Sequence, residues 1–232
     1  EQYEKETDPF KRMLKVLVVC PAQVLLNWKE EIAKFTVEYG KVTICRGGKF
    51  KRVQQFTEAL VPEPDCMFTV LVASYDTISA CGSILEMADW DMLICDESQH
   101  VKDSGTKRFK ALRTLRDKCT TKILLTATPI GNSPMDLWSQ FEILGEGMSG
   151  FSTFGNFRSV YGVWEPIAGA VGLNKLVGLK NIPLLQERIS RLAFTMTKAE
   201  AGLNLPEKVY DIYEVEMTSE QTKAYLDLKT KL

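Results

Sequence analysis

The sequence has little of what zinc centres, disulfide scaffolds and membrane spans require. Its six cysteines form no Cys-x-x-Cys pair, and His100 is the single histidine, so no zinc site is predicted. No apolar run approaches the roughly 18 residues of a membrane span, and no segment has the pattern of a signal peptide. The formal net charge is −1, and the sequence contains no long run of residues with the same charge. We therefore expect no membrane contact, and any nucleic-acid site must be a local patch.

The composition is that of an ordinary globular protein. Of the 232 residues, 45% are hydrophobic and 25% are charged, which allows one large domain or one domain with appendages. Cys20 and Cys95 end apolar strand-like segments, so we predict buried thiols in a reducing, intracellular protein. That compartment would be the nucleus in a eukaryote and the cytoplasm in a bacterium or phage.

Strand patterns alternate with helix patterns from residue 14 to residue 145. Apolar strands are predicted at residues 14–20, 42–45, 67–73, 91–95 and 122–126, and helical patterns lie between them. This alternation predicts βαβ units and an α/β fold with a mostly parallel sheet covered by helices on both faces.

The pattern changes on either side of that region. Residues 1–13 are charge-rich and aperiodic, which predicts a linker. Residues 145–178 show no clear periodicity, and helical spacing returns at 184–192. Residues 209–217 alternate like a strand, and Thr218 with Gln221 forms a capping box that opens a last helix.

Two adjacent carboxylates, Asp96 and Glu97, follow an apolar strand. The carboxyl ends of parallel strands open into a ligand crevice. In nucleotide-driven proteins the first carboxylate can hold Mg²⁺ on the nucleotide phosphates, usually through water, and the second can orient the attacking water. An isolated Asp-Glu pair is more often a solvated acidic turn, so its interpretation depends on the flanking segments.

Five segments in order resemble a known family. They are residues 18–28 (VVCPAQVLLNW), 70–76 (VLVASYD), 96–103 (DESQHVKD), 124–132 (LLTATPIGN, followed by Leu137-Trp138), and the set 176–181, 197–198 and 205–221. With them the chain resembles the first motor lobe of the SWI/SNF-related ATPases, the chromatin-remodeller-like branch of superfamily 2 DNA translocases. The resemblance covers about residues 14–225, and five segments in register make a specific signal.

The resemblance implies an incomplete RecA-like (P-loop NTPase) fold followed by a helical brace. Residues 14–145 would be the core of the first lobe, and residues 146–208 a helical brace or insertion. Residues 209–232 would be a strand and a helix leading toward a second lobe. Double-stranded DNA would be the partner, with a further protein partner left open.

The resemblance also implies ATP and Mg²⁺ as cofactors of the complete motor. Asp96 would contact Mg²⁺ through water, and Glu97 would orient the attacking water. The catalytic set implied by position is Asp96, Glu97, Gln99, Thr126 and Thr128. The two threonines would couple the nucleotide state to lobe movement by hydrogen bonds to the turn that follows Asp96. Their alternative interpretation is a threonine-rich strand end stopped by a proline.

DNA phosphates would be contacted by polar groups at strand ends and helix starts. The implied residues are Gln23, Asn27, Ser74, Tyr75 and Lys102. Trp28 instead has the register of a core residue. The helical segment 104–118 is basic (Lys107, Arg108, Lys110, Arg113, Arg116 and Lys118), and a solvated helix surface and a DNA patch explain it equally well.

The sequence departs from the family pattern in two places. Gln99 stands where many relatives carry histidine; an amide can hydrogen-bond toward the γ-phosphate or the threonine segment but cannot act as an acid or base near pH 7. Nothing matches the Walker A pattern G-x-x-x-x-G-K-[ST], since residues 46–49 (RGGK) lack its first glycine and its Ser/Thr. We therefore expect a portion of a motor, inactive alone, that requires an upstream Walker A segment and a second RecA-like lobe. Its sheet would have an exposed edge.

The leading hypothesis is a portion of a DNA-stimulated ATPase that translocates along duplex DNA and remodels what is bound there. A non-catalytic module that binds DNA or protein is the first alternative, favoured for the isolated chain by the missing phosphate loop. A strand-separating superfamily 2 helicase or a restriction-type motor subunit is the second, and the remodeller-like segment 205–221 argues against it.

Overall fold

A computed structural model of the protein describes residues 13–36, 40–61, 63, 66–169, 172–198, 200–202 and 211–229. The chain divides into two compact units, residues 1–191 and residues 192–232. In the described part of the chain, no helix has the length and apolar character needed to cross a bilayer. The predicted organisation into segments 14–145, 146–208 and 209–232 stays a prediction.

The first unit is built on a five-stranded parallel sheet. The strands are β1 (Leu14–Cys20), β2 (Gly40–Cys45), β3 (Phe68–Ser74), β4 (Trp90–Asp96) and β5 (Cys119–Leu125). Their order across the sheet is β2-β3-β1-β4-β5, and every neighbouring pair is parallel. All five carboxyl ends therefore lie along one edge, and the predicted α/β fold is confirmed.

Helices follow the strands as the alternation predicts. They are α1 (Leu25–Phe35), α2 (Lys49–Leu60), α3 (Tyr75–Leu85), α4 (Lys107–Arg116) and α5 (Asp136–Leu144). Ser74 caps α3 by accepting the Thr77 amide, and Thr106 caps α4 by accepting the Phe109 amide. Residues 17–20 of β1 and 71–73 of β3 are fully buried, which explains why these strands read as continuous apolar runs. In β4, Trp90, Leu93 and Cys95 are buried and the residues between them are half-buried.

Strand β5 forms one edge of this sheet. No described strand pairs with its outer side. Ile123 and Leu125 are 36% and 41% exposed. This matches the exposed edge that we expected from the missing Walker A segment.

After α5, the first unit contains a helix, a β-hairpin and a second helix. These are α6 (Phe154–Tyr161), the antiparallel strands β6 (Gly162–Pro166) and β7 (Asn174–Leu179), and α7 (Ile182–Leu192). Sequence periodicity did not predict the hairpin, because its strands are only five and six residues long and each contains a glycine. The Trp164 indole N–H donates to the Arg158 carbonyl (2.9 Å), and the Arg158 guanidinium lies 3.7 Å from the ring centroid. These contacts attach the hairpin to α6.

The second unit contains α8 (Ser219–Lys229). The Thr218 amide donates to Gln221 Oε1 (3.0 Å) and the Gln221 amide donates to Thr218 Oγ1 (3.3 Å), so the predicted capping box is present. The predicted strand at 209–217 is not seen in residues 211–217, whose side chains are exposed; residues 209 and 210 lie outside the described part. Alternation alone does not make a strand, because a strand needs a neighbour that accepts and donates its backbone hydrogen bonds.

Candidate nucleotide-hydrolysis site

The candidate site lies at the edge of the sheet where the parallel strands end. Asp96 is the last residue of β4, and Glu97 begins the turn that follows it. Since β4 lies between β1 and β5, the segments after these two strands border the carboxylates. The fold therefore brings the segments with Trp28, Asp96 and Thr126 to one place.

Three hydrogen bonds fix the orientation of Asp96. Its Oδ2 atom accepts the Trp28 indole N–H (2.9 Å), its Oδ1 atom accepts the Glu97 amide (3.0 Å), and its carbonyl accepts the Tyr75 hydroxyl (2.8 Å). A carboxylate oxygen can accept two hydrogen bonds, so each oxygen keeps one acceptor site. The side chain is half-buried. Asp96 is thus oriented by the protein and still able to accept water.

Glu97 has left-handed backbone angles, φ 51° and ψ 53°. Such a conformation costs a non-glycine residue on the order of 1–2 kcal/mol. It turns the chain sharply into a short 3-10 helix, Ser98–Val101. The Glu97 carboxylate accepts a hydrogen bond from Gln99 Nε2 (2.8 Å).

A chain of three hydrogen bonds joins Glu97 to the threonine segment after β5. The Thr128 amide donates to Thr126 Oγ1 (3.0 Å), and the Thr126 hydroxyl donates to Gln99 Oε1 (2.7 Å). Gln99 then donates to Glu97 (2.8 Å). The donor-to-acceptor direction of all three bonds runs toward the Glu97 carboxylate, so each bond polarises the next. We call this chain the Gln99 relay; it connects four members of the predicted catalytic set, whose roles stay predictions.

A second connection between the same two segments was missed by the sequence reasoning. The Ser98 hydroxyl donates to Gln140 Oε1 (2.8 Å), and Gln140 Nε2 donates to the Pro129 carbonyl (2.6 Å). Ser98 and Gln140 are both buried. Gln140 lies three residues after Leu137 on the apolar stripe of α5, and an amide within that stripe was the signal that could have identified it.

The carboxylates fit a magnesium ion that is held mainly by its nucleotide. Within the described ranges, no cluster of three or more His, Cys, Asp or Glu side chains could hold a metal ion. Mg²⁺ in nucleotide sites needs only one or two carboxylates, because water and phosphate oxygens supply the other ligands. Asp96, with free acceptor capacity on both oxygens, suits such a water-mediated contact.

Burial keeps the neighbouring thiol and phenol protonated. It raises the pKa of the Cys20 thiol to about 12, with a smaller contribution from the negative charge of Asp96. It also raises the pKa of Tyr75 far above its usual range. Tyr75 therefore remains a hydrogen-bond donor to Asp96 at any physiological pH. Cys20 and Cys95 are fully buried, as predicted.

The residues predicted to contact DNA fall into two groups. Gln23 and Asn27, at the start of α1, are exposed, and Lys102 is half-buried with its Nζ 3.9 Å from Asp136 Oδ2. Ser74 and Tyr75 are buried, at 8% and 3% exposure. The Ser74 hydroxyl caps α3 and the Tyr75 hydroxyl donates to the Asp96 carbonyl, so both groups have partners within the protein. The expected DNA contacts at these two positions stay a prediction.

The basic segment 104–118 is also less exposed than its composition suggests. Arg116 is 2% exposed and donates to the Glu142 carbonyl, with its Nη1 atom 3.4 Å from Glu142 Oε2. Arg108 binds Asp76 at 2.7 Å. Arg116 is thus a structural link between α4 and α5 and not a surface cation. The cations left on the exposed surface of this segment are Lys107, Lys110, Arg113 and Lys118.

Comparison with known proteins gives the family context of this site. The family model of the SNF2-related domain matches residues 2–231. The chain is 29% identical over 220 residues to the chromatin-remodeling ATPase INO80 of Candida albicans, which covers 93% of this chain and 15% of that protein. It is 28% identical over 215 residues to the helicase ssl-1 of Caenorhabditis elegans, covering 93% of this chain and 9% of that protein. The chain thus spans a small part of the length of these relatives.

Solved structures of the same family share the fold. The Sulfolobus solfataricus SWI2/SNF2 ATPase core in complex with double-stranded DNA has a TM-score of 0.60 and 26% identity, covering 82% of this chain and 35% of that chain. The ATPase core domain of the same organism has a TM-score of 0.57 and 25% identity, covering 94% and 41%. These neighbours confirm the RecA-like fold that the motifs implied. The chain belongs to the SNF2-related domain family.

Proposed function

We propose that this chain is part of the first motor lobe of an ATP-driven translocase that moves along double-stranded DNA and remodels what is bound there. The observation that carries this proposal is the Gln99 relay. It joins the Glu97 carboxylate to the threonine segment after β5 through side-chain hydrogen bonds. A solvated acidic turn would have no need of such connections.

Each residue of the site has a role in the proposal. ATP with Mg²⁺, bound by the complete motor, would supply the phosphoryl group and the charge that stabilises its transfer. Asp96 would hold the metal through water, and Glu97 would orient the attacking water and accept its proton. Gln99 would fix the Glu97 carboxylate without exchanging a proton. Thr126 and Thr128 would move in response to a movement of the Glu97 carboxylate, because the relay joins them to it.

The phosphate-binding loop would come from an upstream Walker A segment whose strand pairs along β5. The exposed apolar side chains of Ile123 and Leu125 support this, because strands of a parallel sheet are normally covered on both faces. The second RecA-like lobe would supply the opposite wall of the nucleotide site. Both pieces belong to the complete motor.

Duplex DNA would be contacted through its phosphates by Gln23, Asn27 and Lys102. These side chains lie at the same edge of the sheet as the carboxylates, and they can donate to phosphate oxygens without reading sequence. One of the similar structures is a complex with double-stranded DNA. The chromatin-remodeling activity in the name of the INO80 relatives favours a nuclear location in a eukaryote.

Replacing Glu97 by glutamine in the complete motor tests the proposal. The amide keeps the size of the side chain but cannot accept the proton of the attacking water. We expect DNA-stimulated ATP turnover to fall at least 100-fold while nucleotide binding stays within about twofold. Glu165→Gln on the exposed hairpin is the matched control and should keep wild-type turnover. Retained turnover in Glu97→Gln would remove Glu97 from its role.

A non-catalytic binding module remains the second candidate for the isolated chain. It is favoured by the lack of any Walker A pattern among the 232 residues. Assays of ATP hydrolysis and of DNA binding by this chain test both candidates, since hydrolysis by the isolated chain would show an independent enzyme instead. Salt-sensitive duplex binding without hydrolysis is expected for a motor portion. Strand displacement by the complete protein would instead support the helicase alternative.

A further inference from the structure

Asp96 is held by two side chains that lie outside the turn carrying the catalytic carboxylates. Trp28 comes from α1, and its indole N–H reaches Asp96 Oδ2 (2.9 Å). Tyr75 comes from the start of α3, and its hydroxyl reaches the Asp96 carbonyl (2.8 Å). The two bonds act on different parts of the residue. Tyr75 fixes the backbone, whereas Trp28 fixes the side-chain orientation of the carboxylate.

Trp28 has both a core contact and a polar contact. Its ring packs against a buried cluster that includes Val18, Cys20 and Leu25. Its N–H points out of that cluster toward Asp96. Packing alone would be satisfied by phenylalanine, so the nitrogen is the part of the side chain that concerns the site.

The exposed start of α1 and this indole belong to one helical segment. Asn27 precedes Trp28 directly, and Gln23 lies in the turn that leads into the helix; both are exposed. These are two of the residues through which the proposed function places duplex phosphates. A contact that displaces the start of α1 therefore displaces the Trp28 N–H relative to Asp96.

Tyr75 provides a fixed reference for this movement. It is 3% exposed, and its ring centroid lies 5.3 Å from that of His100 in the turn after Glu97. Its two contacts tie α3 to the turn from one side. A shift of α1 is thus expressed as a change in the carboxylate of Asp96 and not as a movement of the whole turn.

We propose that Trp28 is a positioning residue that couples duplex contact at the start of α1 to the orientation of the Asp96 carboxylate. The proposal rests on the proposed function, since it explains how duplex DNA would stimulate ATP hydrolysis. Because the proposed function has duplex DNA stimulate hydrolysis, duplex should favour the orientation of Asp96 that holds Mg²⁺ through water. We therefore expect duplex DNA to lower the Mg²⁺ concentration that supports half-maximal turnover, and Trp28 to carry that effect.

The first test uses the 232-residue chain with ¹⁵N-labelled tryptophan indoles. Duplex DNA is titrated while the indole N–H signals of the four tryptophans are followed by NMR. We expect the Trp28 signal to shift in proportion to bound duplex, because its hydrogen bond to Asp96 changes. The signal of Trp164, a hairpin residue whose N–H donates to the Arg158 carbonyl of α6, should stay in place. A Trp28 signal that does not move at saturating DNA overturns the coupling.

The second test measures the Mg²⁺ dependence of ATP turnover in the complete motor with and without duplex. In the wild type, duplex should lower the half-saturating Mg²⁺ concentration by about tenfold, the change expected from one hydrogen bond to a charged group. Trp28→Phe should bring this ratio close to one, and Trp164→Phe should keep the wild-type ratio. If Trp28 only supports the fold, Trp28→Phe should raise the half-saturating Mg²⁺ concentration equally with and without duplex.

The outcomes separate this inference from the function on which it rests. A wild type that neither binds duplex nor is stimulated by it refutes the proposed function, and the coupling with it. A stimulated wild type whose Trp28→Phe variant keeps the full Mg²⁺ ratio overturns the coupling alone. The NMR titration needs no variant, so poor folding of Trp28→Phe would leave the first test decisive.

Discussion

Replacing Gln99 by glutamate would convert the hydrogen bond between Gln99 and Glu97, the last bond of the relay, into a repulsion. Gln99 Nε2 donates to Glu97 Oε2 across 2.8 Å, and a carboxylate oxygen of nearly the same shape would take the place of that nitrogen. The Thr126 hydroxyl would keep an acceptor, because a carboxylate accepts where the amide oxygen did. The substitution thus changes one contact and leaves the rest of the relay in place.

The expected cost follows from the distance between the two side chains. Two unit charges 2.8 Å apart repel by roughly 1.5 kcal/mol in water and about 6 kcal/mol at an effective dielectric constant near 20. Glu97 and Gln99 are half-buried and able to rotate apart, which favours the lower value. The lost hydrogen bond to a charged group adds about 1.5 kcal/mol. We expect Gln99→Glu to lower the free energy of unfolding by about 3 kcal/mol at pH 7.5.

Urea unfolding of the 232-residue chain at two pH values measures this effect. With a slope near 3 kcal/mol per molar urea, the midpoint should fall by about 1 M at pH 7.5. Near pH 4, one of the two carboxylates takes up a proton and becomes a donor to the other, so the difference from wild type should shrink. The variant therefore recovers stability relative to wild type as the pH falls.

Gln99→His is the matched control for this prediction. A neutral imidazole offers one donor and one acceptor, which is what the relay requires of residue 99. We expect it to stay within about 1 kcal/mol of wild type at pH 7.5. Equal stability of Gln99→Glu and wild type at pH 7.5, or a loss that does not change with pH, would refute the relay as the source of the effect.

Two further predictions concern the core and its thiols. Glu142→Gln should lower the free energy of unfolding by about 3 kcal/mol, because it leaves the buried Arg116 without its buried carboxylate. Glu146→Gln, at an 80% exposed carboxylate, should change that free energy by less than about 0.5 kcal/mol. Equal urea midpoints for the two variants would contradict this. Iodoacetamide at pH 8 should modify Cys66, the half-buried thiol, before Cys20, whose pKa burial raises to about 12. Mass spectrometry of the native chain checks the order, and early modification of Cys20 would show that the end of β1 is open.

The sheet was predictable where burial on both faces made a strand continuously apolar. Strand β1 has the predicted bounds, 14–20, because it lies at the centre of the sheet with a neighbour on each side. Strand β5 begins three residues before its prediction, at Cys119 instead of Lys122. Its first residues include two exposed threonines, as suits an edge strand, and polar residues there hid the start of the strand from an apolar pattern.

The site was predictable only in part, for a different reason. Asp96 and Glu97 are adjacent in the sequence, so the pair could be found from a strand and its two carboxylates. The long-range bonds that orient Asp96 join residues 21 and 68 positions apart, from Tyr75 and Trp28. Helical register correctly placed the Trp28 ring in the core, but it contains no information about the direction of the indole N–H. That direction depends on which strands are neighbours, which only the tertiary fold determines.

The left-handed conformation of Glu97 explains how two adjacent carboxylates acquire separate surroundings. In an extended strand, consecutive side chains point to opposite faces of the sheet, so Asp96 and Glu97 could not both face the site at the carboxyl ends of the strands. The positive φ of Glu97 turns the chain at that residue, so its amide lies on Asp96 Oδ1 (3.0 Å) while its carboxylate lies on Gln99 (2.8 Å). Asp96 then has donors from α1 and from its own neighbour, and Glu97 has a donor from the relay. The strain at this one residue is therefore the structural cost of a site in which each carboxylate is oriented by different partners.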